Sequence, residues 1–334
     1  MANVMMKNAA SQMHGRMAAN NSRPAVMKAK LLTSSKVQRM SAIASAVAPA
    51  QEQWSINTYA PNELSKRNSL PPLISKEEVV TLEAELDQSP SIVALRRFND
   101  NLRNLPADRW DSLLTPVFVE LCYNLESFNP AFTSCLLMVQ RTIGMSDYVR
   151  RDLALKNLIQ PLAGEYGMHN GMPQLKTHRE LFSEFFASLF GYSLEDLMYS
   201  CERPEAALTM WQNMSRDITT GGSGEFTDPI SQASYALGYN LAIEYLADYE
   251  KTWMLDSFRA LDERIFSKLG KKIDWVFLEV HAEGEAEHAA IGHNAVLNFV
   301  ASEHTPILRK AMQDHDRDFA AFYNRLADML EDRA

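Results

Sequence analysis

Residues 228–247 read Asp228-Pro-Ile-Ser-Gln-Ala-Ser-Tyr-Ala-Leu-Gly-Tyr-Asn-Leu-Ala-Ile-Glu244-Tyr-Leu-Ala247. The opening pair marks a helix start. The aspartate side chain accepts from first-turn amides, and proline lacks an N–H that would have no partner there. A long helix is therefore predicted from Ile230, with a break near Asp248 and a resumption to Gly270. Its interior is apolar apart from one carboxylate, Glu244. Such a group is expensive to bury unless it is paired or ligates a metal; the bland alternative is a surface glutamate on an amphipathic helix.

The same signals recur on both sides. Ser75-Lys-Glu-Glu78 and Thr177-His-Arg-Glu180 are capping boxes, and Ser193 precedes Asp196 in the same way. Pro106 and Asp108 precede a helix running to about Leu125. Another is predicted from Pro130 toward Gly164, with Phe132, Leu136, Val139, Leu153 and Leu158 as its apolar positions. Pro204 falls in a further first turn, and residues 219–227 form a loop with three glycines. Asp274 caps a helix ending near Ser302. Thr305-Pro306 opens the last one, whose apolar side is Ile307, Leu308, Phe319, Phe322, Leu326 and Met329. No run alternates at period two for more than a few residues, so no strand is predicted. The expected class is all-α, a bundle of about eight to ten helices in one domain over residues 75–334.

The chain has 334 residues, 46% apolar and 22% charged, enough for a full core. No 18-residue apolar run occurs, so no membrane span is predicted. Cys122, Cys135 and Cys201 lie far apart and suit a reducing cytoplasm. Residues 1–51 carry seven Lys or Arg and no acid; taking that +7 from the total of −9 leaves the rest at −16. So acidic a body repels phosphate backbones and anionic lipid, which argues against nucleic acid or a membrane as partner. The basic segment resembles a transit peptide, which would send the protein to an organelle. A plain tail, or a start set too early with Met27 or Met40 as initiator, is the preferred explanation. Residues 1–74, ending in a lead-in with Pro61, Pro71 and Pro72, are set apart from the fold.

The chemistry points to the segment Phe277-Leu-Glu-Val-His281-Ala-Glu-Gly-Glu285-Ala-Glu-His288. Spacings of four and seven return to one helix face, so His281, Glu285 and His288 form a stripe. Two imidazoles and a carboxylate suit a divalent metal that takes N and O donors. Gly284 and Gly292 each cost about 1 kcal/mol in a helix relative to alanine, which close helix approach or ligand room would offset. No Lys or Arg occurs from 275 to 299, unlike an ordinary solvated face. Glu244 is the natural further ligand. Glu165, in Gly164-Glu165-Tyr-Gly167, and His178 are a weaker third piece. Glu184, Asp248, Glu250, His169 and His293 rank lower, and Asn240, Asp248 and Glu287 are candidates to orient ligands. Walker, GxGxxG, HExxH and nucleophile-elbow motifs are all missing, which leaves NTPase, Rossmann and zincin readings without support.

Asn157-Leu-Ile, Gly164-Glu165-Tyr-Gly167, His178-Arg-Glu-Leu-Phe182, Gly238 to Glu244, and His281 to His288 together resemble the haem-oxygenase-like non-haem di-iron oxidases and oxygenases over about residues 130–300. The resemblance implies a haem-oxygenase-like helical bundle. It implies two Fe(II) ions on Glu165, His178, Glu244, His281, Glu285 and His288, or a mixed manganese–iron pair. It further implies O2 as co-substrate, an electron donor, a small amine- or carboxylate-containing substrate that a carrier protein could tether, and N-oxygenation or oxidative C–C cleavage. A homodimer is common for such bundles. Three departures stand out. Glu285 replaces the family's usual Asp, the gap from Glu165 to His178 is long, and no Glu lies between Ala131 and Gly164 as a ligand upstream of Glu165.

Other readings compete. A ferritin-like di-iron protein needs two ExxH motifs, and this chain has one, Glu285 to His288. A metal-free bundle of the same fold, thiaminase-like or a partner-binding scaffold, would not need the stripe on 281–288. A scaffold would purify without stoichiometric metal and tolerate changes at Glu244 or His281.

Overall fold

Side-chain caps start four of the helices where the sequence places them, at Ser75, Thr177, Ser193 and Asp228. The Ser75 hydroxyl accepts from the Glu78 amide at 3.1 Å and the Glu78 carboxylate accepts from the Ser75 amide at 3.3 Å, opening α1, Lys76–Leu86. The computed structural model describes residues 70–331 apart from 170–171, 174 and 202–203; the side chains of 169, 172, 173 and 283–289 also lie outside the described residues. The basic segment 1–51 and most of the lead-in fall outside them too.

After α1 come α2 (Pro90–Arg103), α3 (Trp110–Gln140) and α4 (Tyr148–Glu165). A two-residue antiparallel ladder follows, β1 (Met168–His169) with β2 (Met172–Pro173). Then come α5 (His178–Phe190), α6 (Leu194–Ser200), α7 (Glu205–Thr220), α8 (Pro229–Leu261), α9 (Val276–Phe299) and α10 (Thr305–Leu330). The described chain is an all-α helical bundle. None of its helices is long and apolar enough to cross a membrane.

Three boundaries differ from expectation. No helix begins at Pro130; α3 runs through it and through Pro116. Proline removes one intrahelical bond, but Val117, Phe118, Leu121, Cys122, Phe132, Cys135, Met138 and Val139 are buried on both sides of the two prolines, and that packing holds the helix together. The break comes instead before α4, at Gly144, which has φ +76°. Likewise α8 passes Asp248 without interruption and ends at Leu261, followed by a π turn over Asp262–Phe266 and a 3-10 turn over Ser267–Leu269. The pattern also did not separate α1 from α2, which starts behind Ser89-Pro90.

α8 is the central element, packed against α9, α10, α2 and α3. Gly238 lets α10 lie directly on it: a methyl there would sit 2.9 Å from the Leu308 Cα and 3.0 Å from its carbonyl oxygen. α9 packs between α8, α4 and α5. The four elements that carry the predicted ligands thus meet in one part of the bundle. Between α7, α8 and α10 runs a separate polar seam. Arg317 pairs with Asp314, Asp318 and Asp217, and the buried hydroxyls of Tyr235 and Tyr239 donate to Asp314 and Asp318. Burial pushes Asp217 up, but bonds from Arg216 and Ser223 outweigh it and hold this carboxyl below its ordinary value.

Candidate metal centre and its cavity

Glu165 is the last residue of α4, and His178 the first of α5. Between them the chain makes an excursion that closes at its base. The Gly167 amide donates to the Gly164 carbonyl at 2.8 Å, and the Leu175 amide donates to the Gly167 carbonyl at 3.1 Å. Gly167 has φ +67°, and a side chain there would collide with the Leu175 carbonyl. Only glycine fits this turn. The long gap read from the sequence is therefore the small β1–β2 hairpin, and its base returns His178 to Glu165. The His178 Nδ1 lies 2.8 Å from the Glu165 Oε1.

His281 enters from α9. Its Nε2 is 3.0 Å from the same His178 Nδ1, and the two rings are 4.2 Å apart, edge to face. Its Nδ1 is 2.6 Å from the Phe277 carbonyl oxygen, one turn back. A carbonyl only accepts, so Nδ1 carries the proton and donates to it; Nε2 is left with a lone pair aimed at His178. One nitrogen of His178 thus faces a carboxylate oxygen and an imidazole lone pair. A single proton cannot serve both acceptors fully, whereas a cation would take all three donors. These ligand atoms lie within 4.8 Å of one another, with Glu165 and His281 buried. The donor set, one carboxylate and two imidazoles, fits a divalent first-row metal.

Glu244 is fully buried on α8. It faces α9 at Gly292, where a methyl group would sit 3.4 Å from the Glu244 Cγ and 3.7 Å from the Asn240 Nδ2. Gly292 continues the stripe of 281, 285 and 288 by helical register, so Glu244 looks onto that stripe. Glycine here gives the close approach that its position inside a helix called for. The side chains of Glu285 and His288 lie outside the described residues, as do those of His169 and Glu287. Among the lower-ranked candidates, Glu184 pairs with Lys176 at the surface and His293 pairs with Glu83 at 3.0 Å.

Glu165 and His281 open onto a cavity that the sequence did not reveal. Its walls are largely apolar, with Phe182, Met210, Met214, Met254, Phe277 and Phe319 among them; Glu250, Lys251 and His315 are polar exceptions. The room inside is about 60 Å3 for the centres of water molecules. One water needs roughly 10–15 Å3 by this measure, so four to six would fit. Glu250 and Lys251 pair at 2.9 Å, and the Lys251 ammonium lies 6.0 Å from the Phe277 ring centre. A helical period would have found these residues: 243, 247, 250 and 254 share one face of α8, and 308, 315, 319 and 322 one face of α10.

No known family's sequence profile matches the chain, and no curated protein matches it. A solved structure does: a CADD-like protein of unknown function from Nostoc punctiforme, 14% identical, with a TM-score of 0.53, over 75% of this chain and 96% of that one. At that identity the likeness is one of fold. The all-α bundle described here is thus similar in its chain path to the CADD-like protein.

Proposed function

We propose that the protein is an O2-activating non-haem di-iron oxygenase or oxidase of the haem-oxygenase-like kind. The observation that carries this reading is the convergence of Glu165, His178 and His281 on one point at the wall of an apolar cavity. Glu244 and, by helix register, Glu285 and His288 would complete the set for two ions. A bound di-iron(II) pair supplies the electrons for reducing O2, and an external donor restores them. Manganese in one position is compatible with the same N and O donors.

The chain's own contribution is positional. The Phe277 carbonyl fixes which nitrogen His281 offers, a constraint that keeps a metal-binding imidazole oriented. The apolar walls keep bulk water from the reacting centre. The substrate is a small metabolite with an amine or carboxylate group, free or carried on a partner protein, and the reaction is N-oxygenation or oxidative C–C cleavage.

Metal loading tests the reading. Anaerobic metal-free protein takes up Fe(II), and iron per chain is counted before and after O2, with the visible spectrum followed. About two irons per chain are expected, with a transient visible absorption that His281→Ala and Glu244→Ala both abolish. Uptake that neither substitution changes would sink the di-iron reading and leave a metal-free bundle.

A further inference from the structure

His315 is 1% exposed, and neither ring nitrogen has a hydrogen-bond partner among the described residues. An unsatisfied buried polar group costs about 1–3 kcal/mol, so two on one ring need an explanation. The neighbours on α10 do not supply one. Asp314 binds Tyr235 and Arg317, and Asp316 accepts from the Ser91 amide. The ring is held from the side instead, edge to face on Tyr239 at 5.0 Å and tilted on Phe319 at 5.6 Å. It forms part of the wall of the cavity that Glu165 and His281 also line. A rigidly held ring with two unpartnered nitrogens in the wall of a mostly apolar cavity is suited to take a ligand atom once a small side-chain shift uncovers one of them.

The chemistry of that atom follows from the surroundings. Burial keeps the imidazole neutral, with its protonation pushed down to about 3. A neutral imidazole offers one donor and one acceptor. Apart from Glu165 at the metal centre, the charged residues on the cavity wall are Glu250 and Lys251, which pair with each other. A charged group would have to break that pair or be desolvated beside it, whereas a hydroxyl both donates and accepts.

We propose that His315 is a substrate-binding residue that holds a neutral, hydroxyl-like polar group of the small substrate in this cavity, a group distinct from its amine or carboxylate. It sets specificity for that second group. The proposal rests on the cavity being the substrate pocket of the metal centre.

The test uses the iron-loaded full-length protein, kept anaerobic, and three probes that share one chain and differ in the head: 1-hexanol, hexanoate and hexylamine. Affinities are measured by calorimetry for the wild type, His315→Phe and His315→Gln, with iron content recorded for each. Of the three, the alcohol should depend most on His315. Phenylalanine should weaken it about tenfold, the equivalent of one hydrogen bond. Glutamine, which keeps a donor and an acceptor, should restore most of the loss. His315→Phe should also melt higher than the wild type, because it removes two unsatisfied nitrogens, and its iron content should stay the same. Equal affinity of 1-hexanol for the wild type and His315→Phe would overturn the proposal, as would a larger loss for hexanoate or hexylamine than for 1-hexanol on that substitution. Loss of iron in His315→Phe would also overturn it, by placing the ring in the metal site. If the wild type takes up no iron while the probe results hold in the metal-free protein, the di-iron reading falls and the binding role of His315 stands.

Discussion

Burial decides the charge of His315, and that has a consequence for stability. In the folded chain its protonation is pushed down from 6.5 to about 3, by desolvation. Between those values the unfolded chain binds a proton that the folded chain refuses. Folding stability therefore falls as the pH drops through this window and is fully present above about pH 6.5. The effect is a few kcal/mol at most. Urea titrations from pH 7 to pH 4 should show a steeper loss for the wild type than for His315→Phe; parallel curves would mean the ring takes up its proton in the folded state. At this scale the sequence was informative where a residue type was out of place. Glu244 in an apolar run and His281 on a stripe without lysine were legible for that reason. Glu250 ranked low and His315 was passed over, because each sits among other polar residues in the sequence and only the helical period separates the inward side chain from its neighbours.

Two glycines make opposite predictions about their helices. Gly238→Ala would place a methyl 2.9 Å from backbone of α10, which cannot yield locally. A loss of about 1–3 kcal/mol is expected in urea unfolding, even though alanine is the better helix former. Gly292→Ala meets only the flexible Glu244 and Asn240 side chains, at ordinary contact distance. The protein should be unchanged or slightly more stable, with Fe(II) affinity kept, whereas Glu244→Gln should lower Fe(II) affinity about tenfold. Unchanged iron affinity in a well-folded Glu244→Gln would remove Glu244 from the site. Caps and first-turn prolines were readable from sequence at Ser75, Thr177, Ser193 and Asp228 because each is a local interaction. The continuation of α3 through Pro130 was not, since burial contributed by other helices decides it. Nor could sequence spacing show that the stretch between Glu165 and His178 folds back on itself at Gly167.

At the scale of the whole molecule, the candidate ligands come from α4, α5, α8 and α9, so the site exists only when those helices are docked. Metal binding then adds to folding stability by mass action, and the melting temperature of the iron-loaded protein should rise with free Fe(II). The bundle is also closed by its ends. The Ser91 amide on α2 donates to Asp316 on α10 at 3.0 Å across 225 residues, and Arg97 pairs with Asp328 and Glu331. During synthesis that partner emerges some 225 residues after α2. At roughly 5–20 residues per second, α2 waits on the order of ten to forty-five seconds for α10, with Ile92, Leu95, Phe98 and Leu102 incompletely covered by α8 alone. A ribosome-bound chain ending before Thr305 should thus stay protease-sensitive and chaperone-bound, and become resistant only once α10 has cleared the exit tunnel.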